Sequence, residues 1–213
     1  MPDYLCPLCC SASIKDFARD TTRPYCQCVT CELVFVPAEF HLSSANEKAQ
    51  YDLHCNIDEP GYRKFLRRVF DPLIERIDVN SNGLDFGCGP GPVLATMFRE
   101  QGYSVSLYDQ FYFSDDSVLE QQYDFVTATE VFEHLQAPQD VIQLLWSCLR
   151  KGGTLAVMTK LVRDQSSFST WHYKTDPTHI IFFSVKTFEF LAAHLNAEVE
   201  FVGSDVILLR KIN

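Results

Sequence analysis

The sequence predicts an α/β fold: a mainly parallel sheet covered by helices on both faces, closed by an antiparallel hairpin and preceded by a small cysteine-rich ribbon. Three observations carry that expectation. From residue 83 onward, apolar strand-like runs alternate with helical periodicity. Two apolar runs near the end flank Gly203-Ser204, as a hairpin requires. Six of the nine cysteines fall in the first 31 residues.

The ribbon comes first. CPLC (6–9) and CVTC (28–31) are two C-x-x-C pairs with 18 residues between them. Each pair is a tight turn that aims two thiolates at one point, and two turns complete a tetrahedral sulfur shell. Cys6, Cys9, Cys28 and Cys31 are therefore the predicted ligands of a structural zinc, with Cys10 and Cys26 as spare candidates. A shell of four thiolates leaves no position for water, and it replaces a core that so short a segment cannot build. Residues 1–37, closed by the strand-like LVFV and Pro37, form this module.

Residues 38–80 read as a linker and a helix. The stretch 38–59 is polar and irregular in its pattern. Phe65, Leu66, Val69, Phe70, Leu73, Ile74 and Ile77 then repeat at helical spacing, with Pro72 expected to kink the helix. Residues 81–213 carry the βαβ rhythm. Gly83–Gly87 predicts a strand, Val93–Gln101 a helix, Ser104–Asp109 a second strand and Tyr123–Thr129 a third. The helix marked by Val141, Leu144, Leu145, Cys148 and Leu149 should end at Gly152-Gly153. Thr154–Thr159, the helix Val185–Leu195 and the strands Glu198–Val202 and Val206–Arg210 complete the series.

Composition narrows the function. At 213 residues and 46% hydrophobic content, the chain can bury a real core. Net charge is −10, and Arg63, Lys64, Arg67 and Arg68 are the densest basic group, so a nucleic-acid polymer is a poor expected partner. No apolar run is long enough to span a membrane. MPDYLCPLCC lacks a signal-peptide layout, so a reducing, cytoplasmic setting is expected. In such a setting, crowded cysteines mean metal more often than disulfides.

GLDFGCGPGP (83–92) is the most informative stretch. A dinucleotide site uses G-x-G-x-x-G and backbone N–H groups aimed at a pyrophosphate. Here Gly87, Gly89 and Gly91 are spaced G-x-G-x-G, and Pro90 and Pro92 remove two donors. The turn suits close approach of a ligand without a pyrophosphate. Asp109 ends the second strand, where a carboxylate can accept from a ribose diol. S-adenosylmethionine has the matching parts: a ribose, an amino-acid tail and a sulfonium.

Over residues 60–213 the sequence resembles class I S-adenosylmethionine-dependent methyltransferases. GLDFGCGPG is similar to their first motif, SLYD to the acidic strand end and LRKGGTLAVMT to the segment entering the fifth strand; the paired cysteines followed by LVFV resemble a zinc-ribbon extension that some members carry. The resemblance implies a Rossmann-like methyltransferase sheet of seven strands. It assigns Gly87, Gly89 and Asp109 to the cofactor. Asp85, Gly91, Gln110 and Glu130 complete the candidate cofactor set. Only 13 residues, 110–122, separate the acidic strand end from the next strand, so one strand and one helix of that sheet are expected to be missing or reduced to a turn.

A second constellation follows the third strand. In TEVFEHL, Glu130, Glu133 and His134 would project to one side of a helical turn. In WHYKTDPTHIIFFS, His179 is the candidate general base, whereas His172 and Tyr173 read equally as surface aromatics. Glu130, Glu133, His134 and His179 are the candidate catalytic group, able either to hold Mg²⁺ or Mn²⁺ or to act through His179 alone. E-x-x-E-H with a later histidine resembles methyltransferases that O-methylate ubiquinone precursors and others that methylate the terminal 2′-hydroxyl of small RNAs. The aromatic N-P-P-Y signature of nitrogen methylation is absent.

The expected function is methyl transfer to oxygen of a small-molecule acceptor. Carbon, protein and RNA acceptors are alternatives. An NAD-linked oxidoreductase and a non-catalytic zinc-ribbon module on a methyltransferase-like platform are the rivals. Oligomeric state has no signature in the sequence.

Overall fold

The structure is a computed structural model that describes residues 4–53 and 56–212; Cys55, one of the scattered cysteines, lies outside them. Two sheets organise the chain. The larger has six strands in the order β5-β4-β6-β7-β10-β9, with β4 Asn82–Phe86, β5 Ser104–Tyr108, β6 Tyr123–Thr129, β7 Leu149–Met158, β9 Ala197–Val202 and β10 Val206–Lys211. β5, β4, β6 and β7 run parallel, and β10 is antiparallel to both β7 and β9. The antiparallel terminal hairpin is as expected. The sheet has six strands among the described residues, not seven. Residues 110–122 hold only an isolated bridge between Asp109 and Phe113 and a 3-10 turn, Asp116–Glu120, where the missing strand and helix would be.

β7 begins five residues earlier than the expected Thr154. Its pairing with β6 shifts register, from Tyr123 opposite Leu149 to Phe125 opposite Thr154, and Gly152 at φ +80° lets the intervening residues bulge. Helix α2, Pro60–Ile74, runs on past Pro72 and buries Leu66, Val69, Phe70 and Leu73 against α3, Val93–Glu100. On the other face, α4 Pro138–Ser147 and α6 Val185–Leu195 cover the sheet through Ile142, Leu145, Phe188 and Leu191.

The second sheet has the order β1-β2-β3-β8, with β1 Ile14–Arg19, β2 Pro24–Cys28, β3 Val34–Phe35 and β8 Ile181–Phe182. The cysteine-rich segment therefore pairs its last strand with the segment just before α6. Its Cys28, Leu33 and Phe35 belong to the same apolar cluster as Leu155 and Ile207 of the large sheet. β1 and β2 escape a pattern search because their residues, IKDFAR and PYCQC, show little alternation.

The stretch 38–59 is not wholly irregular. It contains α1, Ser44–Tyr51, whose Ser43 cap accepts from the Asn46 N–H. The helix lacks an apolar stripe; it is held by Tyr51, whose ring packs on Phe111 and His134. No helix of the described residues is long and apolar enough to cross a membrane.

Candidate active site

At the carboxyl ends of β4, β5 and β6 lies a cavity of about 790 Å³, where an open α/β sheet places its ligands. Its two ends are built differently.

The glycine end follows β4. Gly87 and Gly89 have φ of +70° and +63°, the left-handed region that glycine enters without strain. A Cβ on Gly87 would lie 2.4 Å from Val131 Cγ2. Gly91 has an ordinary backbone, but a Cβ there would lie 2.1 Å from the Asn56 carbonyl oxygen, so it serves close chain approach. The N–H groups of Gly87 and Cys88 donate to the Tyr108 carbonyl at 2.8 and 3.2 Å, and Gly89 N–H donates to Asp109 Oδ2 at 3.0 Å. With two prolines beside them, few donors remain to cradle a phosphate. Asp109 Oδ1 accepts from Phe111 and Tyr112 N–H at 2.9 and 3.2 Å, which fixes the carboxylate at the cavity wall beside Gln110. Asp85 is buried and accepts from the Thr127 hydroxyl at 2.8 Å; burial pushes its carboxyl up to about 6.

The opposite end carries the second constellation. Three of its four members come together: one ligand atom each from Glu133, His134 and His179 lie within 4.8 Å of one another. The expected helical turn is instead one 3-10 turn, Phe132–His134, entered through Glu130 at φ +52°. Glu130 is not among the three converging ligand atoms, although its Oε2 shares the Tyr173 hydroxyl with Glu133, and its N–H donates to Met158 O at 2.8 Å. Glu130 Oε1 is buried with no hydrogen-bond partner among the described residues, and its side chain lines the cavity. Burial, followed by the charge of Glu133, pushes its carboxyl well above the usual range.

Both imidazoles have their tautomer set by the backbone. His134 Nδ1 lies 3.1 Å from Thr178 O and His179 Nδ1 2.6 Å from Tyr173 O. A carbonyl only accepts, so each Nδ1 carries the hydrogen, which in a neutral imidazole leaves the lone pair on Nε2. Burial, with the neighbouring His134 next, holds His179 well below the ordinary imidazole range, so at neutral pH the ring is neutral and its Nε2 is unprotonated. Glu133 is fully buried and accepts from the Thr159 hydroxyl at 3.0 Å and from the Tyr173 hydroxyl.

Tyr173 is the correction here. It is no surface aromatic but 5% exposed, with its hydroxyl also 3.3 Å from Glu130 Oε2 and its ring centroid 4.2 Å from that of His179. Glu47, Tyr51, Asn56 and Asp176 also line the cavity, and pattern reading singles out none of the first three. They arrive from α1 and the chain after it, far from any motif. Glu47, Asp85, Asp109, Glu130 and Asp176 are the lining carboxylates; no Lys or Arg is among the described lining residues.

Away from the cavity, the four predicted zinc ligands form one cluster. Cys6 and Cys31 Sγ are 3.5 Å apart, as are Cys9 and Cys28, and all four lie within 4.8 Å. A tetrahedron with Zn–S bonds of about 2.3 Å has sulfur–sulfur edges of about 3.8 Å. The two knuckles share one geometry. Cys10 N–H donates to Cys6 O and Glu32 N–H to Cys28 O, each at 3.0 Å, and Cys10 and Glu32 both have positive φ. Cys10 instead donates to Gln139 at 3.0 Å, and Cys26 lies in β2 outside the cluster.

Comparison with known proteins places this architecture. A family profile described as a methyltransferase domain matches residues 60–201. No curated protein matches the chain. An O-methyltransferase family protein from Burkholderia thailandensis superposes with a TM-score of 0.52 at 14% identity, over 82% of this chain and 61% of that one. A SAM-dependent methyltransferase from Archaeoglobus fulgidus superposes at 0.53 and 17% identity, over 70% and 94%. The chain thus spans less than two thirds of the Burkholderia protein. At such identities the likeness is one of fold, whereas the profile covers well over half of the 213 residues. Through residues 60–201, the chain belongs to the methyltransferase-domain family.

Proposed function

We propose that the protein transfers a methyl group to a hydroxyl oxygen of a small, uncharged or cationic acceptor. One observation carries the reading: neutral His179 opens into the same cavity whose far end is the glycine turn and Asp109. Bound there, S-adenosylmethionine would supply a methyl on a sulfonium. Asp109 would accept from the ribose and Asp85 lies beside the turn, with Gly87, Gly89, Gly91 and Gln110 allowing close backbone approach. Glu130, with its unpaired Oε1, would meet positive charge on the cofactor. His179 Nε2 would take the acceptor's proton as the oxygen attacks, and the Tyr173 carbonyl on Nδ1–H would steady the ring as it charges. Five lining carboxylates with no lining Lys or Arg favour an acceptor without phosphate, against an RNA end.

The grouping of Glu133, His134 and His179 favours a second reading of the same chemistry. One carboxylate and two imidazoles suit Mg²⁺ or Mn²⁺, which would lower the acceptor hydroxyl's pKa. The sulfur cluster supports a structural zinc on Cys6, Cys9, Cys28 and Cys31, with no part in the chemistry.

The test is methyl-labelled S-adenosylmethionine offered with phenols, aliphatic alcohols and amines, with and without Mg²⁺ or Mn²⁺. A labelled methyl ether is the expected product. A methylamine or C-methyl product would replace the oxygen assignment. Binding of S-adenosylhomocysteine with no product from any acceptor class would favour the non-catalytic platform. Full activity after chelation, without stimulation by either ion, would remove the second reading.

A further inference from the structure

We infer that Arg23, on the cysteine-rich hairpin, is a positioning residue that clamps the loop carrying Tyr173, Asp176 and His179. Its functional meaning rests on the reading of that cavity end as the reactive one.

Arg23 follows the turn between β1 and β2, about 150 residues from the loop it touches, yet it is 6% exposed. Its Nη2 donates to Lys174 O and Asp176 O, both at 2.8 Å, and Nη1 donates to Pro177 O at 3.1 Å. Nε donates to the Tyr25 hydroxyl at 3.1 Å, which in turn donates to Asp20 Oδ2 at 2.7 Å. Lys174 Nζ lies 3.3 Å from the same Asp20 oxygen. One planar fork thus holds three carbonyls within four residues of chain. Burying a guanidinium on neutral acceptors is costly compared with an apolar side chain of similar size. Filling space alone would not call for it; fixing a backbone path would.

That path sets the reactive groups. Tyr173, whose carbonyl orients His179, directly precedes Lys174. Asp176, between two clamped carbonyls, accepts from the Thr178 N–H and hydroxyl at 2.9 and 2.6 Å and places Oδ2 3.8 Å from His179 Nε2. The Thr178 carbonyl in turn orients His134. On the far side of His179, Val36 N–H donates to Ile180 O at 2.8 Å and β3 pairs with β8. The cysteine-rich segment therefore grips the loop on both sides of His179, and Arg23 is the grip at its open end.

The test reads the His179 ring directly by ¹⁵N NMR of the histidine-labelled full chain, which needs no acceptor. In the wild type, His179 should show a single Nδ1–H tautomer. Arg23→Ala should replace it with averaged tautomers, and about 10 mM guanidinium, far below denaturing levels, should restore the original signal by refilling the vacated site. Arg23→Lys, which keeps the charge but lacks the fork, should show a partial shift and carries the test if the alanine variant does not fold. S-adenosylhomocysteine affinity should stay within about threefold, under 1 kcal/mol, because the glycine end is untouched. An unaltered His179 signal in a folded variant, or a shift that guanidinium does not reverse, would overturn the clamp. Absence of S-adenosylhomocysteine binding to the wild type would instead strike the cofactor reading and leave the clamp to be judged by the His179 signal.

Discussion

The two ends of the cavity differ in the distance, along the chain, between the residues that make them. The glycine end is assembled almost entirely from residues 83–112, a strand, a turn, a helix and a second strand whose hydrogen bonds close on one another. The histidine end draws on Glu133 and His134 after β6, Thr159 after β7, the loop 173–179, and Arg23 from the hairpin in front of the whole domain. A site made by one short segment is held by that segment's own backbone. A site made by four segments needs outside bracing, and here the cysteine-rich sheet supplies it.

The largest expected effect tests that bracing. The native protein should carry about one zinc per chain, and Cys31→Ser should lose it, since structural zinc contributes on the order of 10–16 kcal/mol to folding of its module. Hydrogen exchange should then quicken in the hairpin and in residues 173–182 while β4 to β6 stay protected. Uniform loosening of both ends would show that the comparison is false. Next in size is His179→Ala, which should cut turnover about 10²- to 10⁴-fold, the usual worth of a positioned base. Calorimetry should find its S-adenosylhomocysteine affinity unchanged; a matching loss of affinity would merge the two ends into one.

Asp85→Asn acts on the glycine end and carries a pH signature. Burial raises the Asp85 carboxyl from 3.8 to about 6, so its ionisation costs folded-state stability as pH rises through that interval. The cost is absent below about pH 4 and complete above about pH 6, at most about 3 kcal/mol. Asn can keep the Thr127 bond to Oδ1 without the charge. Thermal melts should therefore show the variant more stable than wild type at pH 7.5 and equal near pH 4, with weaker cofactor binding. A variant less stable at pH 7.5 would reject the account. The smallest effect is that of Asp109→Ala, with about 10- to 100-fold weaker cofactor binding for the loss of one charge-assisted bond. Turnover at saturating cofactor should change little.

The same contrast explains what pattern reading reached. Gly87, Gly89, Gly91 and Asp109 stood out because strand, turn and helix impose their residue types locally. Glu133, His134 and His179 were legible as chemistry, but their convergence was not, nor was it legible that Glu130 would stay outside the trio while sharing the Tyr173 hydroxyl with Glu133. Helix α1 escaped because SANEKAQY has no apolar stripe, and its one aromatic anchor acts through a tertiary contact. Tyr173 looked like a surface aromatic because nothing in WHYK announces that a buried carboxylate awaits its hydroxyl.

By itself, the sequence determined the parallel sheet, the terminal hairpin, the two cysteine knuckles and the glycine turn after β4. Each is written in spacings of a few residues, where backbone geometry and thiolate reach fix the outcome. Only the tertiary structure decided that the ribbon's last strand would join β8, that Arg23 would reach the carbonyls of residues 174–177, and that two imidazoles 45 residues apart would lie with their rings 4.7 Å apart. Those contacts depend on how separately coded elements share a buried interior. Burial also sets the charge of Asp85, Glu130 and His179, because desolvation exists only once the chain has closed around them.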